Sequence, residues 1–156
     1  MREFNAINQA FTLIEVMVAA VMIAILAATS IEFYGTYIKR TETQEVYMLL
    51  PKIANGEVVY YQKNGNFIDV GPVNIPPSAQ RVTGDFTINN WPNIDFYTSS
   101  QILFGYRGYT SGSNFVCEAQ GDQNGDGNTS IFTMNIIPKS KDEVTRGGVV
   151  YFDELE

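Results

Sequence analysis

Phe11 to Ile31 reads FTLIEVMVAAVMIAILAATSI, and the reading of this stretch decides the fold. It carries one charge, Glu15, near its start, and from Val16 to Ile31 none at all. At ~1.5 Å rise per residue, a helix over this stretch is long enough to cross a hydrocarbon layer of roughly 30 Å. Ala, Leu, Met, Ile and Val dominate it and Gly and Pro are absent, so a continuous helix is the expected state in lipid. A helix apolar all round needs cover on every side, and a chain of 156 residues offers little of it, which argues against a buried core helix. A cleavable secretory signal gains support from Arg2 and from the small residues Ala27, Ala28 and Ser30. Against it, Glu15 lies where such a signal gains nothing from an acid, and the helical pattern does not stop after Ser30.

Beyond Ser30 the apolar and aromatic residues Ile31, Tyr34 and Ile38, then Val46, Leu49, Leu50 and Ile53, follow roughly the spacing of one helical face across the polar stretch Lys39 to Glu45. The helix runs on and becomes amphipathic. Pro51 removes one backbone donor and is expected to bend the helix rather than end it, because apolar spacing resumes through Ile53, Ala54, Val58 and Tyr61. Lys63, Asn64 and Gly65 form a stop signal, a cation in the last turn followed by a residue able to take a left-handed cap. A helix from about Thr12 to about Asn64 spans close to ~80 Å, more than a compact domain of this size needs.

Composition narrows the function. With 45% hydrophobic and 17% charged residues the sequence is a folding one of ordinary single-domain size. Ten Lys and Arg against 17 Asp and Glu give a net charge of -7, and the basic residues are scattered apart from Lys39 and Arg40, so no nucleic-acid partner is expected. Histidine is absent and Cys117 is the single cysteine, which excludes His-based acid/base chemistry, His-ligated metals and an internal disulfide. Acids such as Asp95, Asp142 and Asp153 show no spacing that a reaction demands, so no enzyme and no catalytic residue is expected.

Phe11 to Ala28, FTLIEVMVAAVMIAILAA, behind the short polar leader MREFNAINQA, closely resembles the N-terminal signature of type IV pilins and the related pseudopilins. The resemblance implies that a prepilin peptidase cuts between Ala10 and Phe11 and that the new amine on Phe11 is methylated. It also implies a lollipop-shaped subunit, held in the inner membrane as a precursor, handed to an inner-membrane assembly platform, and polymerised with copies of itself into an extracellular filament on the cell surface. The sequence departs from the family pattern in three places. Ala10 stands where the family nearly always has Gly before the cut, Ala24 replaces a usual Gly within the apolar run, and Glu32 replaces a usual Pro at its end. Without the last two helix breakers a more continuous helix is expected, with Gly35 the nearby weak point.

Glu15 has a physical role apart from the family. A carboxylate in hydrocarbon costs a few kcal/mol or more and persists only with a partner or a function. One reading pairs it with the Phe11 amine of a neighbouring subunit, which fixes the axial offset of a helical stack. The other has it as an interfacial acid at a helix N-terminus, favourable to the helix dipole.

After Gly65 the composition shifts to Asn, Pro, Gly, Ser and aromatics, and Val70 to Ser78, VGPVNIPPS, reads as an irregular connector. Strands are expected at Asp85 to Ile88, Ile102 to Tyr106, Asn114 to Ala119, Ser130 to Ile136 and Val149 to Asp153. Together they make an antiparallel sheet, one face of which packs on the amphipathic half of the long helix. The expected class is α+β, organised as a leader at 1–10, a membrane-spanning and filament-core helix at 11–38, and a pilin-like globular domain at 39–156.

Between two of these strands lies GDQNGDGNTS, residues 121–130. Asp122, Asn124 and Asp126, followed by Gly127, Asn128 and Ser130, match the opening of a calcium loop, in which oxygens at alternate positions converge. The acid expected later in such a loop falls on Thr133, leaving Glu118 or Asp142 to fold in. A hairpin turn uses the same residue types, so both readings stand. Cys117 sits among apolar residues and reads as a buried, inert thiol. The aromatics of the helix, Phe33, Tyr34, Tyr37, Tyr47, Tyr60 and Tyr61, read as packing residues rather than an electron path.

Three functions therefore compete. A type IV pilin subunit fits the whole pattern best. A major pseudopilin of a type II secretion system shares the N-terminus, and calcium without a disulfide favours it. A secreted or anchored carbohydrate-binding module would use Trp91, Tyr97, Tyr106 and Tyr109 as a stacking surface.

Overall fold

A computed structural model of the chain describes residues 11–152. The proposed leader, Ala10 included, lies outside the described residues. The chain divides into two compact units, the first ending at Ile38 and the second beginning at Lys39.

Helix α1 runs from Leu13 to Asn64 without a break, through Pro51, and Lys63 lies in its last turn. Gly65 takes φ +82° and donates its N–H to the Tyr61 carbonyl at 2.7 Å, so the stop signal acts as a left-handed cap. Within the first unit the Thr29 hydroxyl bonds back to the Leu26 carbonyl at 3.1 Å and the Ser30 hydroxyl to the same carbonyl at 2.7 Å. Small polar residues are thereby satisfied inside the helix, as a hydrocarbon surrounding requires. They mark no end of the helix, and α1 continues for more than thirty residues beyond them.

In the second unit, Thr43, Val46, Leu50, Ile53, Ala54 and Glu57 are buried, a spacing of three and four that places them on one face of α1. They pack into a core with the inward residues of an antiparallel sheet. Its strands are β1 (Val70–Val73), β4 (Gly105–Ser111), β5 (Asn114–Gly121), β6 (Ser130–Pro138), β7 (Val144–Arg146) and β8 (Val150–Phe152), while β2 (Val82–Thr83) and β3 (Gln101–Ile102) form a separate pair. The order is β1-β4-β5-β6-β7, and β8 pairs with the other end of the same β6 edge. Alternation sets the core: Tyr106 on β4, Phe115, Cys117 and Ala119 on β5, and Phe132, Met134 and Ile136 on β6 all point inward.

One carboxylate from α1 fixes the start of β4. Glu45 accepts from the backbone N–H of Leu103 and Phe104, from the Tyr106 hydroxyl at 2.9 Å and from Arg81 at 2.8 Å. Charge-assisted bonds of this kind are about twice as strong as neutral ones, so one side chain ties the helix to both sheets.

Three expected elements differ. Asp85 to Ile88 is not a strand, because Asp85 folds back on Thr87, accepting its N–H at 2.9 Å and its hydroxyl at 2.6 Å. Phe86 from this segment instead plugs the core beside Trp91 and Phe96, with ring centroids 5.2 and 5.1 Å away. The connector at Val70 to Ser78 is irregular only after Val73, since Val70–Val73 pairs with β4. An edge position and a register shift between Val70 and Val73 accommodate Pro72, which has no N–H to give. The expected strand at Ile102 to Tyr106 is split between β3 and β4.

Candidate functional site

The chemistry of the first unit is concentrated in its first turn. Thr12 precedes α1, and its N–H and hydroxyl both donate to Oε2 of Glu15 at 2.7 Å, while Glu15 N–H reaches Thr12 Oγ1 at 3.3 Å. This is a capping box: T-x-x-E closes donors that a helix start leaves open. The signal stands in the sequence at Thr12 to Glu15, and reading Glu15 for its charge alone passes over it. The acid therefore has an internal partner, Thr12, within the single subunit.

Above this turn the apolar side chains are exposed all round the helix. Phe11 is 85% exposed, Leu13, Met17, Val21 and Ile25 form one i,i+4 row, Val16, Ile23 and Leu26 lie on other sides, and all are open. The helix is long and apolar enough to cross a membrane by length and composition, and none of its most apolar window is buried in the chain.

A profile of the prokaryotic N-terminal methylation motif matches residues 6–31. The chain carries a type IV pilin-like N-terminus. The type IV major pilin protein PilE1 of Neisseria gonorrhoeae is 27% identical over 82 residues, 53% of this chain and 38% of that protein's length. No solved structure matches the chain. Motif and relative make the chain similar to type IV pilins over its N-terminal part, and a long N-terminal helix followed by an antiparallel sheet gives it an α+β arrangement.

In the pilin-like chain the second candidate, residues 121–130, joins β5 to β6. Asp122 is buried, and its two oxygens accept the N–H of Gly125 at 2.7 Å and of Gly127 at 3.2 Å. Asn124 Oδ1 accepts from Asp126 N–H at 3.0 Å, and Asp126 Oδ1 from Asn128 N–H at 2.8 Å. The N–H of Asn128 is the main cause that holds the Asp126 carboxyl below its ordinary range. Gln123 anchors the loop by donating to the Lys39 carbonyl at 3.0 Å. Ser130 is buried at the start of β6, opposite Gly121.

Neither acid proposed to complete the loop does so. Glu118 is committed to Arg107, bonded at 3.0 and 2.7 Å, and to Gln120 at 2.7 Å. Asp142 lies past the far end of β6, a strand of nine residues and about 30 Å that begins at Ser130. Among the described residues no group of three or more His, Cys, Asp or Glu side chains is gathered as a metal cluster. The donor set that remains is two carboxylates with amide, hydroxyl and backbone oxygens, hard ligands that suit calcium and no softer metal.

The proposed sugar-stacking surface is dispersed. Trp91 and Tyr106 are wholly buried, and Tyr109 donates to Glu118. Only Tyr97 stays open to solvent. Cys117 is buried, and desolvation pushes its thiol well above the ordinary range, which leaves it a packing residue.

Proposed function

We propose that the chain is a type IV pilin. Helix 11–38 holds the precursor in the inner membrane, a prepilin peptidase cuts between Ala10 and Phe11, and the trimmed subunit polymerises with copies of itself into an extracellular filament. The observation that carries this reading is the helix start: apolar side chains exposed on every side, with Glu15 the one acid, set a single turn inside. Cover for such a surface comes first from lipid and then from identical helices. In the stack, Glu15 exchanges part of its internal cap for the Phe11 amine of a neighbour. Coexpression with a prepilin peptidase should shorten the chain by residues 1–10, and a chain that keeps Met1 or starts near Thr29 would contradict the reading.

The pseudopilin alternative has one observation in its favour: the single thiol is buried, so no disulfide closes the globular unit. A calcium ion would tie β5 to β6 in its place, held by Asp122, Asn124 and Asp126, with Asn128 and Ser130 beside them. Each carboxylate oxygen keeps a second lone pair after accepting one N–H, so the internal bonds do not exhaust the loop. Binding to the folded state alone adds about 2.7 kcal/mol at a hundredfold excess over Kd. The full chain in detergent, followed by fluorescence of the buried Trp91, should melt higher in calcium than in chelator, and Asp122→Ala with Asp126→Ala should remove the difference. Equal melting temperatures at saturating calcium and in chelator would leave the loop a self-capped turn.

A further inference from the structure

Tyr97, the remnant of the dispersed aromatic surface, lines one of two neighbouring clefts in the second unit. One is a groove of about 460 Å³ along the face of α1 turned away from the sheet, between Lys52, Val59 and Lys63 on the helix and Asn93 to Asp95 on the loop. The other is a dish of about 300 Å³ between Phe86, Pro92 and Tyr97. Asp95 lines both.

The walls are rigid. A Cβ on Gly56 would collide with the Ile94 carbonyl, so the loop lies directly on the helix. Asp95 is held at φ 51° with its N–H on the Pro92 carbonyl at 3.2 Å, and Phe86, Trp91 and Phe96 pack beneath as one aromatic cluster. The polar groups above this floor are unspent. Among the described residues neither the Asp95 carboxylate, the Lys63 ammonium nor the Tyr97 hydroxyl has a hydrogen-bond or ion-pair partner, and the ion pairs there use Arg81, Arg107 and Lys139. Lys52 donates to the Tyr97 carbonyl at 3.2 Å and lies 5.4 Å from the Phe96 ring and 5.8 Å from the Tyr97 ring, which leaves two of its donors and the opposite face of Tyr97 for a ligand. Tyr97 itself is 73% exposed.

We propose that the clefts meeting at Asp95 form one binding site for an acidic oligosaccharide. The apolar face of a sugar ring stacks on Tyr97, ring hydroxyls donate to Asp95 and exchange hydrogen bonds with Asn93, and sugar carboxylates pair with Lys52 and Lys63. Two ammonium groups without carboxylate partners, in a chain of net charge -7, select an anion. A phosphate polymer or an all-acid peptide carries the charge but offers no sugar ring to Tyr97 and no hydroxyls to the free Asp95 carboxylate, so the site selects against both.

The test uses the full chain in detergent, titrated calorimetrically with oligogalacturonate, with neutral maltotetraose and with oligoglutamate. Oligogalacturonate should bind, and Tyr97→Ala and Lys63→Ala should each weaken it by about tenfold. Both side chains are exposed, and unchanged Trp91 fluorescence confirms that the variants are folded. Maltotetraose and oligoglutamate should bind at least about tenfold more weakly than oligogalacturonate. Absence of binding at millimolar oligogalacturonate, equal binding of oligoglutamate, or indifference to Tyr97→Ala would each overturn the site. The filament reading is untouched by any of these results, since it rests on the first unit.

Discussion

Glu57→Gln should flatten the pH dependence of stability of the globular unit, an effect of several kcal/mol from one buried oxygen. Glu57 is 0% exposed, on the same face of α1 as Leu50 and Ile53, and Oε2 takes only a long bond of 3.4 Å from Ile68 N–H while Oε1 has no partner. Burial is the main cause that pushes its carboxyl from 4.5 up to about 8, opposed by the Ile68 N–H and assisted by the nearby charge of Asp69. The folded pKa is raised, so the contribution of Glu57 is fully present below pH 4.5 and is lost as pH rises towards about 8. In that window the unfolded chain releases a proton that the folded chain keeps. At ~1.4 kcal/mol per pH unit, the interval amounts to roughly 5 kcal/mol. Denaturation of the full chain in detergent, followed by Trp91 fluorescence from acid to mildly alkaline pH, measures the slope. The native chain should lose stability with rising pH and the Glu57→Gln chain should lose much less; parallel curves would contradict the assignment.

The second large effect is expected at Glu15, where two substitutions separate two roles. Glu15→Val removes both the cap and the charge and should abolish filaments, while the chain still inserts and is still cut. Glu15→Gln keeps a residue that completes a capping box with Thr12 and removes only the charge. If the acid works by pairing with a neighbour's Phe11 amine, Glu15→Gln should fail to assemble almost as completely as Glu15→Val. Abundant filaments from Glu15→Gln would reduce Glu15 to a helix cap, and abundant filaments from Glu15→Val would remove any assembly role. Subunits recovered by shearing, relative to subunits left in the membrane, give the measurement.

The long helix was legible because its signals are local. The apolar run, the spacing of Val46, Leu50 and Ile53, and Gly65 as cap all act within a turn or two, and they place α1 at Leu13–Asn64 against an expectation of about Thr12 to Asn64. Strands β5, β6 and β8 were legible from their β-branched and aromatic alternation. Asp85 to Ile88 was misread because Phe86 and Ile88 look alike in sequence, whereas only Phe86 finds a hole beside Trp91. Burial of Trp91 and Tyr106 was invisible for the same reason, since an aromatic ring serves a core and a surface equally well until the fold is known. Two signals were present and passed over. T-x-x-E at Thr12 to Glu15 is a capping box, and Glu57 falls in register with the apolar face, where an acid marks a buried carboxyl.

The central claim is that the exposed apolar helix is the assembly element of a trimmed subunit. N-terminal mass spectrometry of protein sheared from the cell surface tests it most directly. The account predicts a chain that begins at Phe11 and carries a methylated amine. A surface chain that begins near Thr29, or an untrimmed Met1 chain found only in the membrane fraction, would contradict it.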